Sequence, residues 1–338
     1  MKTKRMLLIS FMMIAFFTAL FDSAAAKEVN LEAYKYYILG RFFRTQQTQT
    51  TLAQARECFE RAITIDPEFA AAHAWLGRVQ SGDKGTEALN KALALDSTCA
   101  DALLFMSRNK YNQSNWNKLQ QDLKAILADH PETSEAHYHY GLLLMRTGKI
   151  EHAIIEFERN IELEPFSCVA YSYLSQCYFY AAQYQKAIET AHKALELNDA
   201  FGVTYHTLVN TYLWLDQYEN AQKQLEEASA RNKLVAWQDF YSSLIAAKSG
   251  DTEKALGGLA LLKKAYTENE NNLIAVAIAR ISSLVGDKTQ ALDWLKKTKP
   301  GLATIEMVNN SPDFNTLRQE PRFQAVQQKM MATRRWIE

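Results

Sequence analysis

Residues 59–77 read FERAITIDPEFAAAHAWLG. An amphipathic run stops at Asp66-Pro67, and a second amphipathic run follows at once. Proline has no backbone N–H and cannot continue a helix, so the stretch reads as helix, turn, helix. One such element decides nothing. Written many times at a fixed spacing, it becomes the unit of folding and places function on a surface that the units build together.

The spacing is fixed. Pro131 to Pro165 is a step of 34 residues; the same step back reaches Ser97 in LALDS, and forward it reaches Asp199 in ELNDA and then Lys233. Small residues keep this frame at Ala153, Ala187, Ala221 and Ala255. A second series, Ala194 and Ala228, matches Ala62 and Ala92 ahead of their own stops. Leu174 and Leu208 share a slot, Tyr178 and Tyr212 another, and Gly77 and Gly141 a third. Gly or Ala where two helices cross lets them approach closely, and large residues fill the groove between.

On these residues, and most fully on Gly141, Ala153, Phe157 and Pro165, the chain resembles the tetratricopeptide repeat (TPR), a 34-residue helix–turn–helix. The resemblance implies an all-α fold, a right-handed solenoid of about eight units over residues 27–300 with a capping helical segment at 301–338. The units begin near residues 31, 70, 100, 134, 168, 202, 236 and 271. The first carries about three extra residues in RTQQTQTT (44–51), and the second is about four short around 80–86. Residues 38–77 and the segment SPDFNTLRQEPRFQAV (311–326) are similar to the opening and closing parts of TPR sensor regions in bacterial membrane-bound winged-helix activators. The repeats here are read as following a signal rather than a DNA-binding, kinase or cyclase module, so only the sensing or docking half of that resemblance is expected to carry over.

The start of the chain is read as an address. Lys2, Lys4 and Arg5 precede an uncharged apolar run at 6–21, and Ser23-Ala24-Ala25-Ala26 offers small residues for cleavage before Lys27. Sixteen residues fall short of the ~20 that span a bilayer as a helix. Residues 1–26 are therefore expected to be a signal peptide and the product periplasmic or secreted; the alternative is an uncleaved inner-membrane anchor, the one case in which a membrane is a partner. The 38 Lys+Arg balance the 38 Asp+Glu, which leaves no electrostatic footprint for nucleic acid.

Four cysteines, Cys58, Cys99, Cys168 and Cys177, do not make a disulfide scaffold in a chain of this length. Cys168 and Cys177 fall on one expected helix about 13 Å apart in rise, too far to bridge, while a Cys58–Cys99 bridge stays open. Residues 77–82 hold two glycines at phosphate-loop spacing, but Asp83 and Lys84 follow where Lys and Ser/Thr are required. His137 and His139 are two apart, about 200° round a helix, and cannot share a metal. No enzyme motif, metal or cofactor is expected.

In the first helix of each unit, slots 4, 7, 8 and 11 face the core. Slots 2, 5, 9, 12 and 13 form a second stripe roughly 120° away. In the family, that stripe lines the concave groove that holds a partner segment. Carried over, it comprises Arg78; Asp101, Arg108 and Tyr111; Glu135, Tyr138, Met145 and Arg146, with His139 beside them; Gln176, Phe179 and Tyr180; His206, Asn210 and Trp214; and Trp237 and Phe240. Arg108, Tyr138, Gln176, Tyr180, Asn210 and Trp214 are expected to face solvent. Arg78 and Arg108 lack the matching Asn and Lys of the chaperone-tail clamp. The expected function is a non-enzymatic scaffold or adaptor for a protein or peptide partner; the alternative is a ligand-sensing regulatory protein.

Overall fold

The computed structural model describes residues 30–45, 49–80, 82–110, 116–199, 201–231, 233, 237–299 and 302–334. The expected signal peptide, Tyr111 and residues 46–48 of the long first turn lie outside them. Among the described residues the regular structure is helical, with no strand.

The helices come in pairs: α1 (Leu31–Thr45) and α2 (Gln49–Ile65), α3 (Ala70–Gln80) and α4 (Gly82–Leu95), α5 (Ala100–Lys110) and α6 (Trp116–Asp129), α7 (Ser134–Arg146) and α8 (Ile150–Leu163). There follow α9 (Cys168–Tyr180) and α10 (Tyr184–Leu197), α11 (Gly202–Trp214) and α12 (Tyr218–Ala230), α13 (Gln238–Ser249) and α14 (Thr252–Glu268), α15 (Asn272–Leu284) and α16 (Lys288–Lys297). The chain closes with α17 (Leu302–Asn310), a 3-10 helix (Pro312–Leu317) and α18 (Pro321–Arg334). These starts match the eight unit starts read from the 34-residue frame to within two residues. The chain divides into two compact units, 1–102 and 103–338.

The turns explain the period. Gly148, Ala182, Asp216 and Gly250 adopt left-handed backbone at steps of 34 residues, and Gly286 repeats the device. The residue after each closes the same bond six residues wide: Lys149, Gln183, Gln217, Asp251 and Asp287 donate their N–H to the carbonyls of Leu144, Tyr178, Tyr212, Ala246 and Ser282 at 2.8–2.9 Å. That bond satisfies a carbonyl the ending helix leaves open. The next helix then starts on its own cap. Asp251 and Asp287 accept from the N–H of Lys254 and Gln290 at 3.1 and 2.9 Å, each such cap contributing about 1 kcal/mol.

In the first unit, α1–α4 pack around Phe59 and Trp75, both buried. The shortened second repeat is visible where α3 ends at Gln80 and α4 starts at Gly82, while three residues separate α7 from α8, α9 from α10, α11 from α12 and α15 from α16. Gly77 and Gly85 make this possible, since a Cβ on either would lie 2.7 Å from the other's carbonyl oxygen. Trp75 Nε1 donates to Asp101 at 2.7 Å, which fixes that carboxylate as a structural acceptor.

In the second unit the small-residue series does what its spacing predicts. Ala153, Ala187, Ala221 and Ala255 are fully buried at the crossings. A Cβ on Gly141 would meet the Phe157 ring at 3.1 Å, so the ring fills the space that glycine leaves. The first helices of successive pairs lie side by side: Ser172 and Thr204 join α9 to α11 at 2.6 Å, and Asn210 joins α11 to α13. Phe314, Leu317 and Phe323 of the closing segment are buried with Ala291, Leu292 and Leu295 of α16. None of the four cysteines is in a disulfide, so the open Cys58–Cys99 bridge is not formed. Cys168 and Cys177 both lie buried on α9.

Candidate functional site

The expected stripe is placed on the first helices, but its members differ in depth. Arg78 belongs to the first unit and is half-buried. In the second unit Arg108, Tyr138, Gln176, Phe179, Tyr180, His206 and Trp214 are half-buried, and Arg146 is exposed. Five members of the expected stripe are buried instead of lining an open groove. Asn210 is 3% exposed, because its Nδ2 donates to Tyr241 Oη at 2.6 Å from the next first helix. His139 is 9% exposed and faces Glu135 Oε1 at 3.3 Å, one helical turn back. Met145, Glu135 and Phe240 are likewise buried.

The accessible part of the stripe is aromatic. Phe179 meets Trp214 edge-on with centroids 5.3 Å apart, and its own neighbour Tyr180 at 5.6 Å. These three side chains bridge α9 and α11 beside Gln176. Tyr138 instead stacks among His139, Phe157 and Tyr173 at 4.9–6.1 Å. Such edge-on pairs hold rings rigidly while leaving part of each face accessible.

Behind the aromatics lies a polar centre. Tyr241 Oη accepts from Asn210 Nδ2 at 2.6 Å and shares a 2.5 Å hydrogen bond with His206 Nδ1. Burial, reinforced by the Arg280 cation, pushes His206 down to about 4, so the imidazole is neutral at physiological pH. A neutral imidazole carries one proton, on Nε2 if the Tyr241 hydroxyl donates to Nδ1. Arg280, fully buried, donates Nε–H to Asp313 at 2.7 Å and lies 5.6 Å from the Phe240 ring centre. Lys248 pairs with the other Asp313 oxygen at 3.3 Å and with the exposed Asp216 at 3.0 Å. Burial alone would raise the Asp313 carboxyl; the two cations outweigh it and hold the group below its usual range.

Tyr241, Lys248, Arg280 and Asp313 are absent from the sequence-derived stripe. Arg280 did carry a signal, as the one charged residue inside NLIAVAIARISSL.

His137 is held by Glu156 at 2.6 Å and by the Pro131 carbonyl at 2.9 Å. Burial pushes the Cys168 and Cys99 thiols up to about 11 and about 12, away from the thiolate a nucleophile requires. Among the described residues no three His, Cys, Asp or Glu side chains converge as a metal cage does.

Known proteins resemble this chain in two stretches and one fold. Residues 34–105 match the model for the N-terminal domain of the ESX-1 secretion system protein EccA1 of type VII secretion, and residues 106–167 match the tetratricopeptide repeat model. Superkiller protein 3 of Schizosaccharomyces pombe is 20% identical over 209 residues, 59% of this chain and 15% of that protein. Anaphase-promoting complex subunit 3 of the same yeast is 22% identical over 193 residues, 57% of this chain and 24% of that protein. The chain thus spans a quarter or less of the length of these relatives. The solved Cut9–Hcn1 heterotetramer of the APC/C has a similar fold, with a TM-score of 0.58 at 13% identity, covering 88% of this chain and 54% of that one.

Proposed function

We propose, since this chain is a tetratricopeptide-repeat protein with an all-α solenoid fold, that it is a non-enzymatic scaffold or adaptor holding a protein or peptide on the face of its first helices. The observation that carries this is the half-buried trio Phe179, Tyr180 and Trp214, spread over two consecutive repeats beside Gln176. Aromatics in partly desolvated pockets supply most interface energy, and an amide can bond a peptide backbone. Arg146 and Arg108 at one end favour acidic segments.

The test measures affinity and melting temperature on the same variants, with a partner first isolated on the tagged chain. Tyr180→Ala should weaken binding by ~2 kcal/mol, about thirtyfold, with the melting temperature nearly unchanged. A lowered melting temperature with unchanged affinity per folded molecule would assign the trio to packing and remove the groove reading.

We further propose export with loss of residues 1–26. It rests on Lys2, Lys4, Arg5, the apolar run at 6–21 and Ala24-Ala25-Ala26. Among the described residues no helix is long and apolar enough to cross a membrane. N-terminal sequencing of the protein from a cell-envelope fraction should begin at Lys27; an intact Met1 in the membrane pellet replaces the signal with an anchor.

A further inference from the structure

We propose that the exposed face of α14 binds a second copy of the chain, with the two α14 helices antiparallel across a two-fold axis. On one side of this helix lie Glu253, Leu256, Gly257, Ala260, Leu261 and Lys264, all exposed. At 100° per residue they fall within about 140° of one another, opposite the buried Ala255, Leu259 and Leu262. Leu256 and Leu261 are 49% and 52% exposed and flank two small residues, so the apolar surface is a patch and not a scatter of single side chains. The equivalent slots 34 residues earlier, on α12, hold Gln222, Lys223, Glu226 and Glu227, the polar face of a solvated helix.

The two glycines of α14 point the same way. Glycine inside a helix weakens it, so each needs a reason. Gly258 has one within the fold, because a Cβ there would collide with the Ser243 side chain. A Cβ on Gly257 would meet nothing within 4 Å among the described residues. Close approach of another backbone is the other use of a helical glycine, and a helix laid over Gly257 and Ala260 supplies it.

The order of the residues identifies the partner. Glu253 with Lys264, Leu256 with Leu261 and Gly257 with Ala260 are pairs about one midpoint, between Gly258 and Leu259. A two-fold axis crossing the helix there sets each residue against its pair-mate in the other copy, which is the self-complementarity an isologous interface requires. Gly257 then faces Ala260 at the crossing and the leucines pack on either side. At both ends Glu253 of one copy meets Lys264 of the other. A parallel pair would instead set each charge against its own kind, at a cost in binding. One helix pair covers less than the roughly 1,200–2,000 Å² of a standard interface, so the dimer is a weak one.

The inference goes beyond the groove reading, since α14 is a second helix and takes no part in the stripe. Sedimentation equilibrium of the full chain, loaded from about 1 μM to about 1 mM at low ionic strength, should show a monomer–dimer equilibrium. Leu256→Glu should weaken it roughly tenfold or more with the melting temperature nearly unchanged. Gly257→Ala should weaken it too while raising the melting temperature of the monomer, a combination that a merely structural glycine would not give. Charge reversal tests the antiparallel pairing. Glu253→Lys and Lys264→Glu should each weaken association about threefold or more, and the double variant should restore it. These two side chains are exposed, so the reversals do not depend on Leu256→Glu folding. A monomer at every loading, association unchanged in Leu256→Glu, or a double reversal no better than the single ones overturns the proposal. So does a monomer that binds phosphatidylcholine–phosphatidylglycerol vesicles and loses them in Leu256→Glu, which gives the face to a membrane.

Discussion

Replacing Asp313 with Ala is expected to destabilise the second unit by about 3–5 kcal/mol, the usual cost of stranding a buried charge. The carboxylate is fully buried between Arg280 at 2.7 Å and Lys248 at 3.3 Å. Truncation leaves Arg280 buried with none of its donors met by an anion. Lys248 can turn outward to Asp216, so the penalty falls mainly on Arg280. Urea unfolding followed by helical circular dichroism gives the loss. Removing both partners, in Arg280→Met with Asp313→Leu, should recover much of it, because an apolar pair strands no charge. A loss below about 1 kcal/mol for Asp313→Ala would mean that water reaches the pair and that it is not a buried one.

Acid should weaken the fold through His206. Its native pKa is near 4 against an ordinary value of about 6.5. Between those values the unfolded chain binds a proton that the native site refuses, so stability falls as pH falls. The full effect is about 3 kcal/mol, present above pH 6.5 and spent by pH 4. Asp313 works in the same direction but lower, since its depressed pKa confines its loss to pH below the usual carboxylate range. His206→Gln should flatten the melting temperature between pH 6.5 and 4. An unchanged slope in that variant would assign the acid sensitivity elsewhere.

The architecture was legible because one period controls several independent features. The Pro131–Pro165 pair, the small residues at the crossings and the left-handed turn residues from Gly148 to Gly250 all step by 34, and the alanines Ala153, Ala187, Ala221 and Ala255 alone mark four successive helix pairs. The depth of the site was not legible. Slot arithmetic gives the direction of a side chain on its own helix, but not what the next helix lays over it. Asn210 points where expected and is buried because Tyr241 reaches across to it. Arg280 escaped for a different reason. Gly250 to Gly286 is 36 residues rather than 34, so a rigid frame slips by two and misses the slot. Asp313, which gives Arg280 its meaning, lies 33 residues further on in the closing segment, where no repeat predicts a partner.

The ion cluster also changes how the molecule comes apart. In a stack of repeats each pair senses little beyond its immediate neighbours, so an end can fray inward one pair at a time. Here a single carboxylate in the 3-10 helix binds α15 of the eighth pair and reaches back to α13 of the seventh. Detaching the closing segment exposes that carboxylate and leaves two cations behind, so the first step of fraying carries most of the cost of the next two. The C-terminal pairs are thereby tied into one melting block, and amide exchange in α13, α15 and the 3-10 helix should share a common opening free energy while the earlier pairs open on their own.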